Sequence, residues 1–224
     1  MQAEQRAASR ADTHPFEKLH VGRPWVVVAA LMLVTAVAGS LHLGYRGLSL
    51  DESVSLRRAG ESWSHLRSTI TGEDPNMGIY YVLLKLWSGA FGDGVLAARS
   101  LSIVFAILMV PVVYALGTQL FDRRAGLAAI TLLALNAYFL RYAQEARAYS
   151  LVTLLVTVSS YAFVVSLTRP RLSLRAVYVA SSALAFYAHF FAAWVILAQL
   201  IVLIATRPRL IDRAWVITYG AIGF

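Results

Sequence analysis

Two adjacent carboxylates, Asp51 and Glu52, follow the first long apolar run of the chain after a short polar stretch. A carboxylate held at a membrane surface can act as a general base that takes a proton from a substrate hydroxyl group. Ser49 and Glu52 also have the spacing of a capping box, which predicts that a helix begins here. The acidic pair could therefore serve only to stabilise a helix N-terminus, and a catalytic interpretation needs further polar groups nearby.

Arginine and histidine residues in two later segments could complete such a site. The segment "RYAQEARAY" contains Arg141, Glu145 and Arg147, and a guanidinium group can bind two phosphate oxygens at once. The alternative is that an arginine pairs with Glu145 and anchors the ends of two helices. His189, in "FYAHFF", is a lone histidine among aromatic residues, which is more often structural. Brought close to Asp51 by the fold, these groups would form a cationic site for phosphate.

The segment "GEDPNMGIYY" contributes a second pair of carboxylates, Glu73 and Asp74. Their oxygens could bind a divalent cation, or they could belong to a solvated turn. Tyr80 and Tyr81 follow in the apolar run 79–91. A helix of this length reaches only about 20 Å, against about 30 Å for the hydrocarbon core of a bilayer. We expect this run to lie in the membrane interface, where tyrosine is enriched.

The composition places the whole chain in a membrane. Hydrophobic residues make up 58% of the 224 residues and charged residues only 14%, whereas a soluble domain carries about 25% charged residues. The net charge of +8 does not indicate nucleic-acid binding, because the basic residues lie between apolar runs, where they set topology. The chain has no cysteine, which excludes disulfides and thiolate metal sites.

The apolar runs predict an all-α, polytopic bundle of transmembrane helices. We expect spans at 24–43, 100–121, 125–140 and 148–167, a helical hairpin over 176–206 and a last span that begins at 214 and is still open where the chain ends. Pro111 predicts a kink in the second span. The predicted spans contain no Asp, Glu, Lys or Arg, which argues against an ion-coupled transporter.

Basic clusters determine the expected orientation. They lie in the tail 1–23, in "FDRRAG", in "TRPRLSLR" and in "TRPRLIDR". All four fall on the cytoplasmic side if the hairpin turns near His189 and the run 79–91 does not cross the membrane. This places the loop 44–99, with amphipathic juxtamembrane helices, and the other polar segments at the extracytoplasmic face of the plasma membrane.

The order of these features resembles the membrane glycosyltransferases of the C-type fold. This superfamily includes the protein O-mannosyltransferases and the lipid A aminoarabinose transferase. The resemblance rests on one N-terminal span, then "LDE" in the first outer loop, "DPNMGIYY" where the family has "HPPLYY", and then "FDRRAG", "RYAQEARAYSL" and "YAHFF". It covers the chain from about residue 24 onward, and the bacterial dolichyl-phosphate-mannose-like transferases are the most similar subgroup.

The resemblance implies transfer of a sugar, with mannose favoured, from a polyprenyl-phosphate carrier to an acceptor hydroxyl, with inversion of the anomeric carbon. It assigns catalysis to Asp51, the base, with Glu52 beside it. The other implied residues are Arg147, His189 and Arg141 for the donor phosphate, Glu145, Tyr80 and Tyr81 in support, and Glu73 and Asp74 for a divalent metal ion. The acceptor, a protein, lipid or polysaccharide, is left open, and no nucleic-acid partner is expected.

The chain also departs from the family pattern. Asp74-Pro75-Asn76 replaces the common His-Pro-Pro, and Tyr149 stands where several relatives carry a second aspartate. Relatives are roughly twice as long, so we expect the sequence to represent the N-terminal half of the fold. Two alternatives remain: a ligase that uses polyprenyl-linked glycans, and a non-catalytic envelope-assembly protein or flippase.

Overall fold

The computed structural model describes residues 23–41, 43–73, 75–169, 171–206 and 213–222. In these ranges every regular element is helical and no strand occurs, which confirms the all-α prediction. The α-helices in chain order are α1 (Pro24–Ser40), α2 (Leu50–Gly60), α3 (Trp63–Ser68), α4 (Gly78–Phe91), α5 (Val95–Leu120), α6 (Arg123–Ala134), α7 (Ala137–Ala143), α8 (Tyr149–Thr168), α9 (Leu172–Ala188), α10 (Ala192–Thr206) and α11 (Arg213–Ile222), with a π-helical turn at Thr69–Glu73 after α3.

Two of these helices, α5 and α8, are long and apolar enough to cross a membrane. They correspond to the predicted spans 100–121 and 148–167. α1, α9 and α10 are apolar but shorter. α5 begins at Val95, five residues before the predicted span, and this extension brings Arg99 into the helix. The predicted span began at residue 100 and therefore left Arg99 outside, so the prediction of spans without ionisable residues did not account for it.

The predicted span over 125–140 is not one continuous helix. α6 and α7 are separate helices that meet at an angle of 63°, so they form at most one broken span. The break has a local cause, because the side-chain oxygen of Asn136 accepts a hydrogen bond from the backbone N–H of Phe139 at 2.9 Å. Asn136 is therefore the N-cap of a new helix, although the surrounding residues continue the apolar run.

The predicted capping box is present at the start of α2. The Ser49 hydroxyl accepts from the Glu52 N–H, and the Glu52 carboxylate accepts from the Ser49 N–H. α2 ends at Gly60 and Ser62 caps α3, so the loop 44–99 contains two short consecutive helices at this point.

α4 is a helix as predicted, but its tyrosines occupy a different environment. Tyr80 and Tyr81 are almost completely buried, together with Leu84, in a helix that packs against α2, α5 and α9. The Lys85 ammonium donates to the carbonyls of Ala59 and Glu61, the former at 3.1 Å, and so attaches α4 to the C-terminus of α2. The two tyrosine side chains therefore belong to the protein core, and the position of α4 relative to a membrane stays a prediction.

α5 is the central helix and contacts α1, α6 and α8. α5 and α6 approach closely at two glycines, since a Cβ atom on Gly117 would lie 2.9 Å from the Cα of Gly126. The run 176–206 is divided by a break at His189, where we predicted a turn, and α9 packs along α8. This packing brings the start of α2, the link between α7 and α8, and the turn at His189 to the same end of the bundle.

Candidate functional site

The first turn of α2 presents its two carboxylates to different surroundings. Glu52 is 2% exposed, while the side chain of Asp51 is 65% exposed. Successive residues of a helix point in directions about 100° apart. Because the capping box fixes where the helix begins, it also fixes which carboxylate points into the protein and which points out.

Glu52 forms a bidentate ion pair with Arg99 of α5. Arg99 Nε lies 2.8 Å from Oε1 of Glu52 and its Nη2 lies 2.9 Å from Oε2. Both side chains are almost fully buried, at 3% and 2% exposure. This fork-to-fork geometry is the strongest arrangement available to an arginine and a carboxylate.

The same guanidinium group organises the backbone before α2. Nη1 donates to the carbonyl oxygens of Leu43 and Arg46, at 2.6 and 3.1 Å, and Nη2 donates to that of Gly47 at 3.1 Å. Arg99 therefore fixes the path of the chain from α1 to Asp51. Sequence reasoning missed this residue because it was assigned to the end of a loop, and no local pattern connects it to Glu52.

Glu52 also holds the link between α7 and α8. Its Oε1 accepts a hydrogen bond from the backbone N–H of Ala146 at 3.1 Å. Burial on its own would raise the pKa of the Glu52 carboxyl, but the hydrogen bonds from Arg99, Ala146 and Ser49 outweigh it and lower the pKa to about 2. Glu52 is therefore ionised at neutral pH, and both of its carboxylate oxygens accept hydrogen bonds. The bond from Ala146 also brings the next residue, Arg147, to the N-terminus of α2.

Asp51 and Arg147 meet at the surface. Nη2 of Arg147 lies 3.6 Å from Oδ2 of Asp51, and Nη1 donates to the Asp51 carbonyl oxygen at 3.4 Å. The guanidinium group also lies 5.8 Å from the centre of the Tyr149 ring. Among the described residues, its buried Nε has no hydrogen-bond partner. This leaves Arg147 with donor capacity for an anion beside an exposed carboxylate.

His189 lies near the same arginine. Burial, and then the charge of Arg147, lower the pKa of the imidazole, so the ring is neutral at pH 7. Its Nδ1 accepts from the Phe191 N–H at 3.3 Å, which leaves Nε2 as the N–H donor. The side chain of Asn76 accepts from the Phe190 N–H at 3.2 Å and so ties this turn to the start of α4.

The remaining predicted residues have clearer structural roles. Arg141 is 59% exposed and lies 3.8 Å from the carboxylate of Glu145, which matches the alternative of an arginine–glutamate pair at a helix end. The Glu145 carbonyl oxygen accepts from the Ser102 hydroxyl at 2.7 Å. Burial raises the pKa of the Tyr80 phenol, and Tyr81 packs beside it in the core.

A divalent metal ion finds no support in the described part of the chain. The prediction named Glu73 and Asp74, but Asp74 and the side chain of Glu73 lie outside the described residues. Within the described residues, no group of three or more histidine or acidic side chains could hold a metal ion.

The family of the chain is shown by comparison with protein-family models. The family described as dolichyl-phosphate-mannose-protein mannosyltransferase matches residues 77–224, which begin after Asp51 and include Arg99, Arg147 and His189. Neither the curated proteins nor the solved structures gave a match. Because the matched region spans more than half of an all-α membrane protein, the chain belongs to the dolichyl-phosphate-mannose-protein mannosyltransferase family, a group of membrane glycosyltransferases that use a lipid-linked sugar donor.

Proposed function

We propose that this protein transfers a sugar, with mannose the favoured candidate, from a polyprenyl-phosphate carrier to an acceptor hydroxyl group. The observation that carries the proposal is the contact between the exposed Asp51 carboxylate and the Arg147 guanidinium group. The contact supports the proposal because it brings together the carboxylate and the guanidinium group to which we assign the roles of general base and phosphate ligand, at one end of a bundle of apolar helices. The family supplies the class of donor, and the site supplies the residues.

Asp51 is the base in this proposal. Its carboxylate takes the proton of the acceptor hydroxyl while that oxygen forms a bond to the anomeric carbon. The bond between that carbon and the phosphate oxygen breaks on the opposite face, and its electron pair leaves with the phosphate. The anomeric configuration is inverted. Glu52 takes no part in proton transfer, because its carboxylate is enclosed by Arg99 and Ala146. It holds Asp51 in place.

Arg147 and His189 bind the leaving phosphate. A phosphate diester gains negative charge as it departs, and preorganised donors that face this charge stabilise the transition state. Arg147 offers a fixed positive charge, and the neutral His189 offers one N–H group. Arg141 is less suited to this role, because it is directed to Glu145.

Donor binding is compatible with the contact between Asp51 and Arg147. The acceptor oxygen has to lie within about 3 Å of the base and about 3–3.5 Å from the anomeric carbon. The leaving oxygen on the far side is then at least about 6 Å from the carboxylate. A guanidinium group that lies 3.6 Å from the carboxylate can also lie within about 3 Å of that oxygen, so Arg147 can contact Asp51 and the leaving phosphate at the same time.

The proposed site faces the extracytoplasmic side of the plasma membrane, with the N-terminus in the cytoplasm. The support is the positive-inside rule, applied to the four basic clusters of the sequence. Because the chain lacks cysteine, single substitutions test the orientation directly. We expect an impermeant thiol reagent to label Ser68→Cys but not Ala125→Cys in intact cells, and the reverse pattern would invert the topology.

The reaction is tested by following radiolabelled mannose from polyprenyl-phosphate mannose in membranes that contain the wild-type protein or Asp51→Asn. Transfer by wild type, with a loss on the order of 10²-fold or more in the variant, is the expected result for removal of a positioned base. Full activity of Asp51→Asn would point to another base or to a glycan ligase. No transfer by wild type from any polyprenyl-phosphate sugar would favour an envelope-assembly protein.

A further inference from the structure

A pocket of about 310 Å³ lies at the end of the bundle far from Asp51. The first turn of α1, the last turns of α5, the start of α6 and the second half of α8 form it. The lining residues that matter below are Trp25, Tyr114, Gln119, Arg123 and Tyr161. We call it the Arg123 pocket.

α5 separates the Arg123 pocket from the proposed catalytic site. Arg99, near the start of α5, binds Glu52, whereas Gln119 is the last residue but one of the same helix. From residue 99 to residue 119 an α-helix rises about 30 Å, which equals the hydrocarbon core of a bilayer. The pocket therefore lies where a helix long enough to cross a membrane ends and the charged residues of the next helix begin.

The Arg123 pocket offers a positive charge and hydrogen-bond donors to a ligand. Arg123 is exposed, and among the described residues no carboxylate pairs with it. The carboxylate of the preceding Asp122 accepts from a backbone N–H of α6 at 2.8 Å and caps that helix. Tyr161, Gln119 and Trp25 add a phenol, an amide and an indole N–H group. The described lining contains no acidic residue, so the pocket suits a phosphate group and lacks a partner for an ammonium group.

Aromatic rings lie around the arginine at this end of the bundle. The ring centres of Trp25 and Tyr114 are 5.6 Å apart, in an edge-to-face arrangement. Tyr114 is buried, while Trp25 is 67% exposed. Tryptophan and tyrosine are enriched at the level of lipid headgroups, because their rings are apolar at one end and polar at the other. The Arg123 pocket thus combines a cation with the residue types of a headgroup layer.

An exposed apolar stripe leads away from the pocket along α1. After Trp25, the exposed residues Ala29, Leu33 and Val37 follow at intervals of four positions. Residues four apart are neighbours on a helix surface, so the stripe is continuous and about 18 Å long. A hydrocarbon chain that begins at the pocket can lie along this stripe and bury apolar area.

We propose that the Arg123 pocket binds an anionic phospholipid, with the headgroup phosphate at Arg123 and an acyl chain along the stripe on α1. A guanidinium group can bind two phosphate oxygens at once, and basic pockets between transmembrane helices bind anionic lipid headgroups. The basic cluster "FDRRAG" then provides a binding residue in addition to its effect on topology.

A lipid bound in the Arg123 pocket would stabilise the bundle, because four helices line the pocket. A ligand that binds the folded state and not the unfolded state raises the free energy of unfolding. The inference goes beyond the proposed function and does not depend on it. Transfer at Asp51 and lipid binding at Arg123 can therefore each fail without the other.

The first test measures the thermal unfolding midpoint of the wild-type protein in detergent with three probes. Phosphatidylglycerol, at about 100 times its Kd, should raise the midpoint by about 5 °C. Phosphatidylethanolamine should raise it less, since its ammonium group finds no carboxylate in the pocket, and glycerol phosphate should have no measurable effect, since it lacks acyl chains. Equal stabilisation by phosphatidylethanolamine would reveal a general effect of lipid, and equal stabilisation by glycerol phosphate would reveal a site for free phosphate. Either result, or no effect of phosphatidylglycerol, would overturn the proposal.

The second test compares two adjacent arginines. Arg124 belongs to the same basic cluster and is also exposed, but it does not line the pocket. Native mass spectrometry should show that Arg123→Gln weakens phosphatidylglycerol binding about 10-fold, the loss expected for a hydrogen bond to a charged group, while Arg124→Gln binds as wild type. Neither substitution should destabilise the lipid-free protein, because a positive charge is unfavourable at a helix N-terminus. Equal losses in both variants would mean that the cluster attracts lipid without a defined site, and no loss in Arg123→Gln would exclude the pocket.

Photo-cross-linking locates the lipid. The probe is phosphatidylglycerol with a diazirine on the acyl carbons next to the glycerol, at a low mole fraction in vesicles of phosphatidylethanolamine that contain the protein. We expect label to be concentrated on the first turns of α1 and the last turns of α5, and to decrease in Arg123→Gln but not in Arg124→Gln. Label spread evenly over the helices, or unchanged in Arg123→Gln, would overturn the assignment of the lipid to this pocket.

Discussion

Two neighbouring carboxylates on one helix turn have opposite fates in this protein. Glu52 is buried in a bidentate pair with Arg99, which also binds three backbone carbonyls. Asp51 is exposed and meets Arg147 at 3.6 Å. Each carboxylate pairs with an arginine, but only the pair of Glu52 and Arg99 is enclosed by the protein. The buried pair fixes the geometry of the site, whereas Asp51 in the second pair stays accessible to a substrate.

The largest effect should come from breaking the buried pair. Arg99→Met leaves the Glu52 charge buried without its partner and frees the carbonyls before α2. We expect a loss of about 3–5 kcal/mol in the free energy of unfolding, measured by thermal or denaturant unfolding in detergent. A matched variant, Arg141→Met, removes an arginine from the exposed pair with Glu145 and should cost less than about 1 kcal/mol.

The double variant Arg99→Met/Glu52→Gln sharpens this result. It removes both charges, so the part of the loss that comes from an uncompensated buried carboxylate should be recovered. If Arg99→Met proves as mild as Arg141→Met, the pair between Glu52 and Arg99 does not organise the fold.

Acid should weaken the buried pair in a defined pH range. The folded protein lowers the pKa of Glu52 from its ordinary value of 4.5 to about 2. The ion pair therefore stabilises the folded state fully above pH 4.5, and this contribution is lost as the pH falls through 2. The linkage amounts to about 3 kcal/mol.

The measurement compares wild type with Glu52→Gln at a series of pH values. We expect the difference in their free energies of unfolding to be constant above about pH 5 and to shrink steadily toward pH 2. A difference that does not change below pH 4.5 would show that Glu52 is not held ionised by Arg99.

The sequence predicts the position of Glu52 but not that of its partner Arg99. The spacing of Ser49 and Glu52 predicted the capping box, because a cap depends only on residues within one turn. Arg99 is 47 positions from Glu52, and only the packing of α5 against the loop before α2 brings them together. The capping-box spacing predicts that Glu52 lies in the first turn of a helix, but it does not predict which cation pairs with Glu52.

The bend at Asn136 was indicated by the sequence, but the hydropathy of the surrounding residues favoured a different prediction. Hydropathy over 125–140 favours a single span, while an asparagine inside that run is a good helix N-cap. Tyr80 and Tyr81 show the opposite case, since their amphipathic character is compatible with an interface or with a core. Only the contacts with α2 and α5 decide in favour of the core. The turn at His189 was predictable because the length of 176–206 fits no single helix across a bilayer.

The exposed pair should affect activity and leave stability unchanged. Asp51→Asn keeps the size of the side chain and removes the base, so we expect kcat to fall on the order of 10²-fold or more with no change in the unfolding midpoint. Asp93→Asn, at another exposed aspartate in the same loop region, is the control and should keep full activity. A loss of stability in Asp51→Asn comparable to that of Arg99→Met would remove the distinction between the two carboxylates.

The smallest effect should come from replacing Arg147 with lysine. Lysine keeps the positive charge but loses the planar fork and the stacking on Tyr149. Because the contact with Asp51 is long and Asp51 is 65% exposed, loss of this ion pair should cost less than about 1 kcal/mol of stability. Weaker binding of the donor phosphate should raise KM about 10-fold, since one lost hydrogen bond to a charged group is worth about 1.5 kcal/mol.

Arg147→Gln provides the matched variant, because it removes the charge as well and should lower kcat in addition to raising KM. A lysine variant with unchanged kinetics for the donor would mean that the phosphate does not contact Arg147.

The same substitution at Arg99 offers the sharpest contrast. Lysine has three donors for the five hydrogen bonds that Arg99 makes, so Arg99→Lys should destabilise the fold while Arg147→Lys changes only the affinity for the donor.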